Sequence, residues 1–179
     1  MKYLYLIVFV FIVNSAAFCQ ELKIVKKSQL KNPFKKLKYT KVIAYNFALK
    51  GSHEQYSIIK EDGKLDYTTV LPGRILLIEE VDSLITTLAD TSTYGGGIAM
   101  CFEPRLAFVF YNDNSIVACI DVCFECNYLT STISIPAKDY YNKNFDYGFS
   151  KFGRKRLIAF CRKLNMSYCV KDGESAFDE

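Results

Sequence analysis

Hydrophobic and polar positions alternate with two different periods along this chain, and the change of period marks out its elements. Residues 106 to 111 (LAFVFY) and 116 to 122 (IVACIDV) are rich in aromatic and β-branched side chains and contain no Gly or Pro. Separated by Asn112-Asp113-Asn114, they predict a β-hairpin. In Tyr128 to Ile135, Leu129, Ser131, Ile133 and Ile135 alternate with Tyr128, Thr130, Thr132 and Ser134, which predicts a third antiparallel strand with one wet face. Upstream, Tyr39 to Leu49 reads as a strand offering a core either Val42, Ala44 and Phe47 or Ile43 and Tyr45. Gln55 to Lys60 and Leu65 to Leu71 read as short partners about the turn Glu61-Asp62-Gly63-Lys64.

The period lengthens after Pro72-Gly73. Ile78, Val81, Leu84, Ile85 and Leu88 recur at three- and four-residue spacings, the stripe of a helix whose start carries Glu79, Glu80 and Asp82. Thr91 to Gly97 predicts a flexible polar turn; its Gly95-Gly96-Gly97 follows a helix and lacks a Lys-Ser/Thr, so it is no phosphate loop. Pro136 ends the third strand, Asp139 to Tyr147 is an aromatic loop, and Ser150 caps a last helix to about Leu164. Phe152, Leu157, Phe160, Cys161 and Leu164 share a face of that helix, with Arg162 and Lys163 near its end. Strands, helix, a three-stranded meander over about residues 104 to 135, then helix, with no recurring repeat, predict an α+β fold. Its antiparallel sheet carries two helices on one face.

If the hairpin loop is three residues centred on Asp113, opposed positions sum to about 226. Arg105 then faces Asp121 as a cross-strand ion pair, and Cys101 faces Glu125 beside Cys123 and Cys126. Cys119 faces Ala107, on the face shared with Cys123.

The amino terminus reads as a secretory signal over residues 1–19: Lys2, an apolar run from Tyr3 to Val13, then Ser15-Ala16-Ala17-Phe18-Cys19. The run is too short to span a membrane comfortably, so no span is expected after cleavage. A lipid anchor at Cys19 is the alternative, opposed by the bulk of Phe18. Residues 20–38 read as a basic leader, 39–170 as a single domain and 171–179 as a short acidic tail. The leader region is dense in lysine (Lys23, Lys26, Lys27, Lys31, Lys35, Lys36, Lys38 and Lys41), yet no nucleic-acid motif accompanies it. A solvated linker is the simpler reading than a polyanion arm, and no nucleic-acid partner is expected.

Cleavage after Cys19 leaves six cysteines, an even number suited to an oxidising compartment such as the periplasm or the cell exterior. Six cysteines allow fifteen connectivities. One structural reading places a disulfide within Cys101, Cys123 and Cys126, and another between Cys161 and Cys169 at the end of the last helix. Alternatively, Cys123-Phe124-Glu125-Cys126 is a thiol redox motif. It ends a strand rather than opening a helix, beside acids that raise a thiol pKa. A zinc site of Cys101, Cys123 and Cys126, completed by Cys161 or Cys169, is the metal alternative. His53, the sole histidine, reads as a surface-turn residue, and no H-E-x-x-H or calcium loop is present.

The hairpin region resembles a group of small exported bacterial proteins to which no activity is attached. The resemblance is carried by Cys101-x-x-Pro104-Arg105, the F-V-F-Y of 108 to 111 and the C-F-E-C of 123 to 126. Tyr94-Gly95, Gly148-Phe149-Ser150 and Gly153 extend it over roughly residues 78 to 170. It implies the fold, export and clustered cysteines, and adds no function. The expectation is an exported, disulfide-stabilised, non-catalytic domain that binds a protein or envelope component through the hairpin end and the tyrosine loop. The alternative is a periplasmic thiol redox or metal-binding protein.

Overall fold

The computed structural model describes residues 32–46, 57–66, 72–100, 102–141, 147–171 and 174–175. The expected signal, Cys19, most of the leader, His53, Cys101 and the acidic tail beyond 175 lie outside them. Nine strands and three α-helices follow one another among these residues. The strands are β1 (Lys41–Asn46), β2 (Arg74–Ile75), β3 (Tyr94–Gly96), β4 (Leu106–Asn112), β5 (Ser115–Cys123), β6 (Tyr128–Ser131), β7 (Gly148–Phe149), β8 (Val170–Lys171) and β9 (Glu174–Ser175). The helices are α1 (Ile78–Ala89), the single turn α2 (Pro136–Asp139) and α3 (Lys151–Lys163). One antiparallel sheet runs β2-β1-β4-β5-β6; β3 pairs with β7 and β8 with β9. The fold is α+β.

Strand alternation assigns the two faces of this sheet. Val42 and Ala44, Leu106, Phe108 and Phe110, then Ala118, Ile120 and Val122 point to one side. There they meet Leu84 and Leu88 of α1 and Leu157 and Phe160 of α3, so both long helices cover the same face. Phe108 and Phe160 lie with ring centroids 6.0 Å apart. The opposite face carries Ala107, Val109, Tyr111 and Cys119 beneath Ile58 and Leu65. Residues 57–66 form this cover, a strap bridged at Ile59 and Leu65 across a turn whose Gly63 takes φ 77°. Phe34 packs against Phe110 at 5.5 Å, so the packed chain begins before residue 39, inside the segment expected to be linker.

The hairpin register differs from the expected one. Asn112 pairs with Ser115 about a two-residue turn in which Asp113 takes φ 55°. A bulge at Val117 then adds a residue to β5, so Leu106 pairs with Val122 and Ala107 with Asp121. Cys119 therefore faces Val109, not Ala107. The opposed positions now sum to 228, a shift of two from 226, and an even shift leaves every side chain on its expected face. The Arg105–Asp121 ion pair does not form. Arg105 instead lies 3.9 Å from Glu103 at the surface, while Asp121 is buried.

Helix ends follow local chemistry. Glu80 Oε2 accepts the Leu77 N–H at 2.9 Å, and the Arg74 guanidinium grips both Glu80 oxygens at 2.9 and 2.7 Å, tying the edge strand β2 to α1. Ser150 Oγ accepts the Gly153 N–H at 2.9 Å, the expected cap of α3. Two expected core members are outside: Ile78 is 73% and Phe152 57% exposed. Each sits in the first turn of its helix, beyond the reach of the sheet; Arg156 lies over the Phe152 ring at 5.3 Å. The glycine-rich stretch is not a free turn. A Cβ at Gly96 would stand 1.9 Å from Phe149 O and one at Gly148 2.0 Å from Asn127 O, so these glycines let three backbones meet.

Candidate functional site

Cys119, Asp121 and Cys123 occupy alternate positions of β5 and share its strap-covered face, all three buried. Asp121 is the polar centre of this row. Ser57 Oγ donates to its Oδ2 at 2.7 Å, the Ile58 N–H to its Oδ1 at 3.3 Å, and the Cys119 thiol to Oδ1 at 3.6 Å. Burial pushes the Asp121 carboxyl up, against the opposing effect of these donors. The Cys119 thiol is pushed well up by burial and by the Asp121 carboxylate. Burial also raises the Cys123 thiol, although the Cys126 N–H points at its Sγ from 3.2 Å. Phe102 and Tyr128, 4.5 Å apart, close over Cys123 and Cys126.

These surroundings disfavour thiolates, and the thiolate is the reactive form. Cys119 and Cys123 remain thiols, and a buried thiol behaves as a small apolar side chain. Cys161 and Cys169 form the expected disulfide, Cα atoms 5.9 Å apart. Joined to each other in the helix-face core, they cannot supply the fourth thiolate of the zinc alternative. Among the described residues no group of three or more His, Cys, Asp or Glu is placed to hold a metal.

Beside the sealed thiols, the Phe124–Asn127 turn opens outward. The backbone reverses there because Asn127 takes φ 62°, a conformation Asn tolerates. Asn127 Nδ2 donates to Gly97 O at 2.7 Å and Phe149 O at 2.9 Å, joining the turn to β3 and β7. Its Oδ1 is buried with no donor among the described residues. The Tyr168 hydroxyl accepts the Phe124 N–H at 2.9 Å, donates to Glu125 Oε2, and its ring stacks on Phe124 at 5.6 Å. Burial, with the Glu125 carboxylate, pushes the Tyr168 phenol far up, so it stays a donor. The Cys161–Cys169 bridge, one residue away, fixes Tyr168 in this position.

Between this turn, Gly96, Gly97 and the start of α3 lies a cleft of about 430 Å³. Phe124 and Phe149 form its buried floor, while Glu125, Lys151 and Arg154 stand around it. Arg154 is held there by its Nη2, which donates to Phe124 O at 3.1 Å. The first turn of α3 contains no acid. Cations there oppose the helix dipole, each at a cost of about 0.3–1 kcal/mol.

Cys123 and Cys126 lie together beside Glu125, the expected third thiol Cys101 lies outside the described residues, and Arg105 and Asp121 separate. Tyr168, Asn127, Lys151 and Arg154 escaped sequence reading; the acid-free first turn of α3 was the one local sign of them. In the tyrosine loop, the half-buried Tyr141 lies 3.4 Å from the point where a Cβ of Gly95 would be, and packs edge-on to Tyr140 and Tyr147. That part of the loop covers β3; residues 142–146 lie outside the described residues.

Comparison of the chain with models of protein families, with curated proteins and with solved structures finds no match. Among the described residues no helix is long and apolar enough to cross a membrane.

Proposed function

We propose that this protein is an exported, non-catalytic binding domain that engages a protein of the cell envelope through the end of the sheet at Phe124–Asn127. The observation that carries this reading is the contrast at that end: the thiols are sealed inside, and beside them a cleft with ordered walls stands open. Such a concave site with few convergent polar groups is the usual form of a small-ligand pocket, and here it would take a single group presented by the partner protein. Export is supported by Lys2, the apolar run to Val13 and the small residues before Cys19, together with the Cys161–Cys169 bridge.

A second reading, a redox or metal role for Cys101, Cys123 and Cys126, has one observation in its favour. The Cys126 N–H at 3.2 Å stabilises charge on Cys123 Sγ. Burial acts against it and is the larger influence on that thiol.

Photo-crosslinking tests the binding reading. Met100 is 99% exposed and follows Ala99, whose N–H meets Cys126 O at 3.0 Å, so it stands beside the turn. A photoreactive residue at Met100 is expected to give a discrete protein adduct in the native cell envelope, competed away by unlabelled protein. The same residue at Asn114, at the far end of β5, is expected to give none. Adducts from both positions, or from neither, would contradict the assignment.

A further inference from the structure

We propose that the cleft binds a small anionic group, a carboxylate or phosphate, gripped between Lys151 and Arg154. This deepens the binding reading above by naming the chemistry that the face recognises. Three observations converge on it. Lys151 and Arg154, one helical turn apart on α3, bring two positive charges to one cavity. The two cations outnumber the one acid of the lining, Glu125, whose Oε2 is turned to the Tyr168 hydroxyl and lies 3.8 Å from Cys123 Sγ. The walls are held before any ligand arrives, by Arg154 on Phe124 O and by Asn127 on Gly97 O and Phe149 O. Arg154, fixed in advance over a floor of buried rings, meets an anion with little reorganisation, and Lys151 adds a second positive charge from the exposed rim.

Gly97 supplies the means of testing this. A Cβ there meets no atom within 4 Å and its φ is not in the left-handed region, so the backbone takes a side chain at this lining position without strain.

The experiment titrates the oxidised full-domain protein with inorganic phosphate and, separately, with acetate at constant ionic strength, following backbone amide shifts. Saturating shifts at Gly96, Gly97, Asn127 and Lys151 are expected with one or both anions, and the better anion names the group. In Lys151→Glu the affinity is expected to fall by about tenfold or more. In Gly97→Phe the shifts are expected to vanish while the thermal midpoint is retained, which separates a blocked site from a misfolded one. Shifts that rise linearly without saturation, or that saturate equally in both variants, would overturn the proposal. An adduct from Met100 with no saturable shift would remove the anion and leave the protein-binding face. Saturable shifts with no adduct would leave the anion site and remove the protein partner.

Discussion

Two buried acids, one on each side of the fold, show how differently its faces are closed. Glu80 lies in the first turn of α1 with the Arg74 guanidinium on both its oxygens, and this partner holds its carboxyl below the usual range. Asp121 lies under the strap with hydroxyl, amide and thiol donors, and burial moves its carboxyl the other way. The helix face is otherwise an apolar layer of Leu, Phe and Val; the strap face interleaves thiols and an acid with its apolar residues. Stability therefore belongs chiefly to the helix side, while the strap side holds polar groups in place at some cost.

Phe108→Ala, in the helix-face layer, is expected to have the largest effect, about 3–5 kcal/mol in urea unfolding. A loss below about 1 kcal/mol would contradict the assignment of stability to the helix face. Opening the Cys161–Cys169 bridge by a double Cys→Ala change is expected to cost about 2–3 kcal/mol. It should also loosen Tyr168 from Glu125, visible as faster amide exchange at Phe124, whose N–H Tyr168 accepts.

The two acids make a matched pair for pH titration, and their signs are opposite. Glu80, with its folded pKa depressed, contributes stability that is present above the ordinary carboxylate range and is lost as pH falls through its folded pKa. Removing it as Glu80→Gln is expected to cost about 1 kcal/mol at neutral pH, kept small by the partly exposed Arg74, and to flatten the acid limb. Asp121, with its folded pKa raised, binds its proton more tightly folded than unfolded. Stability is therefore lost as pH rises from the ordinary carboxylate range through its folded pKa. Asp121→Asn is expected to abolish that slope, and an unchanged slope would remove Asp121 as its source. The smallest effect is expected from Arg105→Ala, within about 0.5 kcal/mol, because its partner is the surface residue Glu103 and not Asp121.

Much of the fold is legible in the sequence because it is set by local pattern. The runs on either side of Asp113, the stripe from Val81 to Leu88, the Ser150 cap and the short Cys161–Cys169 span all declare themselves within a few residues. What stayed hidden depends on contacts between distant segments. No Gly or charge marks the bulge at Val117, yet together with the two-residue turn at Asp113 it replaced the Arg105–Asp121 pair with Ala107–Asp121. The strand Tyr94–Gly96 has no apolar alternation and exists because Gly148–Phe149 and Asn127 approach it. The same holds at the site. Its thiols announced themselves as C-F-E-C, whereas Tyr168 and Arg154 reach Glu125 and Phe124 from far along the chain.

Cys119 and Cys123 are sealed in the scaffold, and the proposed recognition belongs to the cleft beside them. Alkylation of the oxidised protein, exported in its native host, with intact-mass readout before and after unfolding and metal analysis of the same sample, tests this most directly. Cys119 and Cys123 are expected to stay unmodified in the folded protein, to react fully once it is unfolded, and to carry no stoichiometric metal. Rapid labelling of Cys123 in the folded state, or one bound zinc per chain, would contradict the claim and make the thiols the working part of the molecule.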